Sequence, residues 1–262
     1  MKYITLWIKY IKIGLINAME YRINFLLGGL FETCWVIMNL IYFNTIFSLT
    51  DSIGGWNKNQ TLFLVFYCAL IDNLFGFNFW GGITQIPELI RTGTLDHLLI
   101  KPINLRFQLS VKFINCSQIY NLLFDLCGLV YFSCKLNLFA GAPYKILLFA
   151  LIVINSVFII YNFYFIVFTI CFWVIEASML RKFSQDVFTI GNKPINIYPK
   201  MIQKFFTFIL PIATAFSLSA QSIIKDINLL NIGKILLISF AFYIFSQLFF
   251  KLSISRYSSA SS

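Results

Sequence analysis

Six long apolar runs separated by short polar segments dominate the chain: residues 23–48, 61–83, 114–134, 146–175, 205–222 and 235–252. Each is roughly long enough to cross a ~30 Å hydrocarbon core as a helix. The fourth is over-long, which predicts tilt or projection from the bilayer. The fifth contains Pro211, which predicts a kink or a freed carbonyl. Ahead of the first run, residues 3–20 place Leu6, Ile13 and Ile16 at helical spacing, with Lys2, Lys9 and Lys12 elsewhere around the helix. Such a basic amphipathic helix is expected to lie in the membrane interface.

Composition supports this reading. Hydrophobic residues make up 59% of the 262 positions, charged residues 11%, and mean hydropathy is +0.81. Soluble domains carry about 25% charged residues. The pattern therefore predicts an all-α polytopic membrane protein with six transmembrane helices, one membrane domain over residues 1–262, no internal repeat and no soluble catalytic domain.

Charge orients it. With those six runs as spans, 15 of the 20 Lys and Arg residues fall on one side and 5 on the other. The positive-inside rule then places both termini, the 84–113 loop and the 176–204 loop in the cytoplasm. These basic residues flank spans rather than forming one basic face, which argues against nucleic acid as a partner. The net charge of +10 follows from the same distribution. No cleavable signal peptide is expected at residues 1–22, since no small-residue cleavage site is present.

Two polar segments have internal structure. In 84–104, Pro87 suits a first helical turn and Glu88 follows where the helix dipole favours a carboxylate. Gly93 ends that piece, and Thr94 is positioned to cap the next. Leu95, Leu98 and Leu99 give the second piece an apolar face, and Lys101-Pro102 stops it. In 176–204, Pro194 and Pro199 predict an extended stretch along the cytoplasmic interface, with Tyr198 at headgroup depth. Residues 258–262 read as an unstructured polar tail.

Candidate chemistry is sparse. Glu32, Asp72, Asp125 and Glu176 fall in or at the ends of spans, where a carboxylate costs at least ~2.5 kcal/mol near the bilayer centre. Glu176 reads as interfacial. Glu32, Asp72 and Asp125 are the possible intramembrane polar positions, serving either helix-to-helix hydrogen bonds or an ion relay. His97 is the only histidine and lacks a second ligand, so no metal site is expected. The six cysteines form no CxxC pair and read as apolar packing residues. No P-loop or hydrolase motif is present, so any nucleotide hydrolysis belongs to another chain.

Two stretches resemble a known family. Ile90-Arg-Thr-Gly-Thr-Leu-Asp-His-Leu-Leu-Ile-Lys-Pro102 is similar to the signature I-x-x-G-x-L-D-x-x-L-x-K-P of the bacterial six-span branch of type-2 ABC-transporter permeases. Pro194-Ile-Asn-Ile-Tyr-Pro199 with Phe206-Thr-Phe-Ile-Leu-Pro211 resembles that branch's second signature. The resemblance implies a multi-pass permease of the bacterial cell membrane, non-catalytic itself, which pairs with an identical or paralogous second permease chain. A cytoplasmic ABC ATPase dimer, holding ATP and Mg, would dock below. The coupling helix would fall in 84–104, with Pro87, Glu88, Arg91, Gly93, Leu95, Asp96, Leu98, Leu99, Lys101 and Pro102 as coupling residues. The implied function is export of an amphipathic or hydrophobic peptide, lipid or drug-like substrate, with no cofactor bound by this chain. The alternative is an ion-coupled transporter or channel using Glu32, Asp72 and Asp125.

Overall fold

A computed structural model describes residues 2–20, 22–140, 144–174, 177–225 and 229–257. Glu176 and the 258–262 tail lie outside the described residues. In chain order the helices are α1 (Lys2–Glu20), α2 (Arg22–Phe47), α3 (Lys58–Phe75), a π-helical turn (Gly76–Trp80), α4 (Gly81–Ile83), α5 (Ile86–Arg91), α6 (Asp96–Leu99), α7 (Leu105–Val111), α8 (Ile119–Lys135), α9 (Tyr144–Thr169), α10 (Ala177–Gly191), α11 (Lys200–Lys204), α12 (Ser219–Ile224) and α13 (Leu229–Ser255). The described residues form no sheet. Ile53 and Trp56 make one isolated bridge in the turn after α2.

Four helical stretches are long and apolar enough to cross a membrane: Phe25–Phe47, Lys58–Arg91, Tyr144–Phe172 and Leu229–Ser255. Two bent pairs add to these, Leu105–Val111 with Cys116–Lys135 at 54° and Lys200–Ile209 with Thr214–Ile224 at 85°. The chain is thus an all-α polytopic membrane protein. The bundle has a turn end, marked by Ile53–Trp56, and a loop end, marked by α5 and α6.

At the centre is α3, most of whose residues are buried. Asn57 begins it with a full capping box: its side chain accepts from Gln60 N–H at 3.0 Å, and Gln60 Oε1 accepts from Asn57 N–H at 3.0 Å. Helix α3 packs along α8, α2 and α9, while α13 packs on α9. Buried hydroxyls tie the centre together. Tyr67 Oη lies 2.9 Å from Ser156 Oγ, which donates to Ser219 Oγ at 3.2 Å. In an apolar medium such bonds fix which helix faces meet.

Below the π turn, α4 meets α7 backbone to backbone. A Cβ on Gly82 would sit 2.2 Å from the Leu109 carbonyl oxygen, and one on Gly81 would sit 2.3 Å from that of Phe113. Only glycine allows this approach. It lets α7 lie under the bundle before the chain turns by 54° into α8.

The fifth crossing differs from the expectation. Residues 176–204 were expected as a cytoplasmic loop and 205–222 as the fifth span. Instead α10 runs antiparallel to the α3 stretch along its height. Arg181 Nη2 lies 3.5 Å from the Thr84 carbonyl at the loop end. Cys68 Sγ lies 3.8 Å from the Asn192 carbonyl midway. Asn196 Nδ2 donates to the Gly54 carbonyl at 3.1 Å, at the turn end. The bent pair that follows has both ends there, since Ile224 and Lys225 sit beside Gly55, Trp56 and Gln60. Its entering arm runs on the outside of the chain, the backbone turns at Leu210–Pro211, and the returning arm is buried. The physical reason is compositional. The 15 residues of α10 are too polar to register as an apolar run, and both arms of the bent pair are apolar although only the returning arm, from Ile212 onward, is packed inside, the entering arm keeping Phe205, Phe208 and Ile209 exposed. Tyr198 accordingly lies at the turn end, its hydroxyl donating to the Ile190 carbonyl at 3.3 Å. Counting Lys193, Lys200 and Lys204 with that end, and leaving out Arg106, which is buried, changes the charge partition to 11 against 8, which still favours the loop end as cytoplasmic.

This topology makes a direct prediction. Cysteines introduced at Asp51 and Asn196 should react with a membrane-impermeant maleimide from the same side of sealed vesicles. Reaction from opposite sides would restore the cytoplasmic-loop arrangement.

Candidate coupling surface and transmembrane path

The loop end is built by α5, α6 and the approach to α7. Pro87 lies in the first turn of α5, where no intrahelical N–H is required, and Glu88 follows it. Gly93 has φ +69°, the left-handed conformation that glycine adopts without strain. Its N–H bonds the Ile90 carbonyl at 3.2 Å, and Leu95 N–H returns to the Leu89 carbonyl at 3.1 Å. The chain therefore turns sharply from α5 into α6. Thr94 does not cap α6; its hydroxyl lies 2.8 Å from that of Thr92, and α6 has no side-chain cap. Gln108 Nε2 donates to the carbonyls of Leu98 at 3.4 Å and Ile103 at 3.0 Å, stapling the loop to α7.

The structure divides the candidate coupling residues into two sets. Leu95 is 1% and Leu98 3% exposed, both inside this chain's core. The sequence groups them with Leu99 in one apolar face, but the side chains of Leu95 and Leu98 pack inward while Leu99 stays exposed. The outward face is made by Leu99 at 42% and Ile100 at 81% exposure, flanked by exposed Glu88, Arg91, Lys101 and Pro102. Asp96 is half-buried and faces Tyr257 at the end of the last helix. Glu88 and Arg91 form a two-bond ion pair, with Arg91 Nη2 to Glu88 Oε1 at 2.7 Å and Nε to Oε2 at 3.0 Å. The bonded Arg91 holds the Glu88 carboxyl below its usual value, and Glu88 raises the Arg91 guanidinium. Both stay charged through neutral pH. The pair is exposed, so it shapes the surface more than it stabilises the fold.

The membrane acids divide likewise. Glu32 and Asp72 line one cavity of about 660 Å³ between α2, α3 and α10. Asp125 does not line it. It is buried behind α3 and accepts from Asn73 Nδ2 at 2.7 Å, a helix-to-helix bond. The cavity gains Gln185, Asp186 and Thr189 from α10, which the sequence reading left in a loop. Their signal was periodicity. Ser184, Val187, Phe188 and Gly191 turn inward, and Gln185, Asp186 and Thr189 turn outward. The result is an exposed polar stripe at mid-height, poorly suited to lipid. Among the described residues, no group of three or more His, Cys, Asp or Glu is arranged to hold a metal ion.

A substitution pair separates the two sets at the loop end. Leu98→Asp should sharply reduce the yield of folded protein, because it buries an unpaired carboxylate worth several kcal/mol. Ile100→Asp should leave both yield and melting temperature near wild type, read by fluorescence-detected size exclusion and a thermal melt.

A family model described as ABC-2 family transporter protein matches residues 33–261. No curated protein and no solved structure matches the chain.

Proposed function

We propose that this chain, which belongs to the ABC-2 family of transporter proteins, is the membrane permease subunit of an ATP-driven exporter. The observation that carries the coupling role is the loop end. A short apolar knob, Leu99 and Ile100, projects beside an ion pair, and it stands on two core leucines and a Gln108 staple. A rigid knob transmits displacement, whereas a loose loop would absorb it. The knob would seat in a cleft of a cytoplasmic ATPase, which holds ATP and Mg, and closure of the ATPase pair would push on α5 and α6. Because α5 continues the α3 stretch, that push reaches the centre of the bundle.

The path for substrate would run along the polar stripe of α10 and the Glu32–Asp72 cavity, closed by a second permease chain, identical or paralogous. A polar stripe with apolar neighbours such as Phe31, Trp35 and Trp80 suits an amphipathic substrate, moved out of a bacterial cytoplasm or its membrane. The same acids give the ion-coupled reading its one supporting observation, and nucleotide dependence separates the two.

The test is co-purification of the tagged chain from mildly solubilised native membranes, with ATPase activity assayed on the eluate. The proposal expects a P-loop ATPase to co-elute, and Ile100→Asp to reduce its recovery roughly tenfold or more, the effect of losing an interface anchor. A chain that elutes alone, with flux in liposomes driven by an ion gradient and abolished by Asp72→Asn, would support the ion-coupled alternative.

A further inference from the structure

Arg106 was counted among the charges flanking the spans. The structure places it inside the protein, 6% exposed, on α7. Its Nε donates to Tyr161 Oη at 2.9 Å, and its Nη2 to Asn162 Oδ1 at 2.6 Å and Ser246 Oγ at 2.9 Å. The guanidinium lies 4.4 Å from the centre of the Phe165 ring and 5.5 Å from that of Tyr243. Its Nη1 has no hydrogen-bond partner. Every acceptor is neutral, and among the described residues no carboxylate pairs with it. A buried cation without a counter-charge is costly in a low-dielectric setting.

Arg106 also lines a cavity of about 820 Å³. This is separate from the acidic cavity: Leu74 and Asn78 border the Arg106 side, Asp72 and Gly76 the other. Its walls are mostly apolar, with Val157 and Phe158 from α9 and Trp7 from the N-terminal helix. Ile154 borders it and is 70% exposed. The cavity therefore opens on the outer flank of α9, a surface that also carries exposed Leu147 and Leu151. An occupant entering there comes from the bilayer.

We propose that this cavity is a binding site for an anionic phospholipid of the surrounding leaflet, with Arg106 supplying the counter-charge to its phosphate and the α9 flank receiving an acyl chain. The rings and the amide and hydroxyl acceptors hold the guanidinium in place and leave Nη1 as its one unpaired nitrogen. An anionic lipid brings the net negative charge that the protein does not, whereas the phosphate of phosphatidylcholine is already balanced by its own choline ammonium. Trp7 at the rim puts the N-terminal helix in contact with the same occupant. The site depends on membrane insertion alone, so it stands or falls separately from the coupling role.

The experiment uses the full chain in nanodiscs of phosphatidylcholine mixed with phosphatidylglycerol, followed by release and native mass spectrometry of retained lipid. Wild type should retain phosphatidylglycerol over phosphatidylcholine by roughly tenfold, in line with one charge-assisted hydrogen-bonded contact. Arg106→Gln should lose that preference. Val157→Trp fills the cavity while keeping the charge and should lose it too, which covers the case in which Arg106→Gln fails to fold. Lys9→Gln with Lys12→Gln, on exposed positions of α1, should retain it. Equal retention of both lipids by wild type would overturn the site. So would a preference that survives in folded Arg106→Gln or in Val157→Trp, or one that disappears only with the two lysines.

Discussion

Backbone groups released where helices break inside a membrane must be satisfied by the protein itself, and this fold depends on how its breaks answer one another. The π turn at Gly76–Trp80 leaves room for the Phe77 carbonyl to accept from Asn115 N–H at 3.0 Å, at the break between α7 and α8. After α10, Ile195 N–H donates to Ser217 Oγ at 3.1 Å, in the returning arm of the hairpin. Across the 85° bend, Thr214 Oγ1 donates to the Thr207 carbonyl at 3.1 Å. Each irregular segment is thus supported by another irregular segment, and a continuous apolar helix in place of any one would orphan its partner.

That arrangement links the two ends of the molecule. The same α3 stretch carries the π turn, the backbone contact at Gly81–Gly82 and, below them, α5. In the proposed coupling, a push on α5 would meet no flexible connector before α4. It would be passed to α7 through the close Gly81–Gly82 backbone contacts and to α10 through the Thr84 region. The acidic cavity and the Arg106 cavity lie on opposite faces of this stretch, so under the proposed coupling one displacement would reach both.

Much of this was legible in the sequence. Runs rich in Phe, Ile and Leu identify the apolar spans, because lipid leaves a helix few alternatives, and Pro211 marked a real break. Pro87, Glu88 and Gly93 carried local signals that act within a turn, and the structure follows them. What failed were inferences about facing. Leu95, Leu98 and Leu99 look equivalent along the chain, but tertiary packing takes two inward and leaves the third out. Helix α10 was missed because hydropathy averages its buried Val187 and Phe188 with Gln185 and Asp186, while the bent pair was read as a span because its exposed entering arm and its buried returning arm are equally apolar. Arg106 was misread because a charge count does not distinguish a flanking cation from an enclosed one.

The central claim is that Leu99 and Ile100 contact a nucleotide-hydrolysing partner. The most direct measurement is to place a photo-crosslinking amino acid at position 100, irradiate native membranes, and identify the adduct by mass spectrometry. The account predicts a covalent adduct with a P-loop ATPase, absent when the same probe sits at exposed Tyr144 at the opposite end of the bundle. An adduct only with lipid, or equal ATPase adducts from both positions, would contradict it.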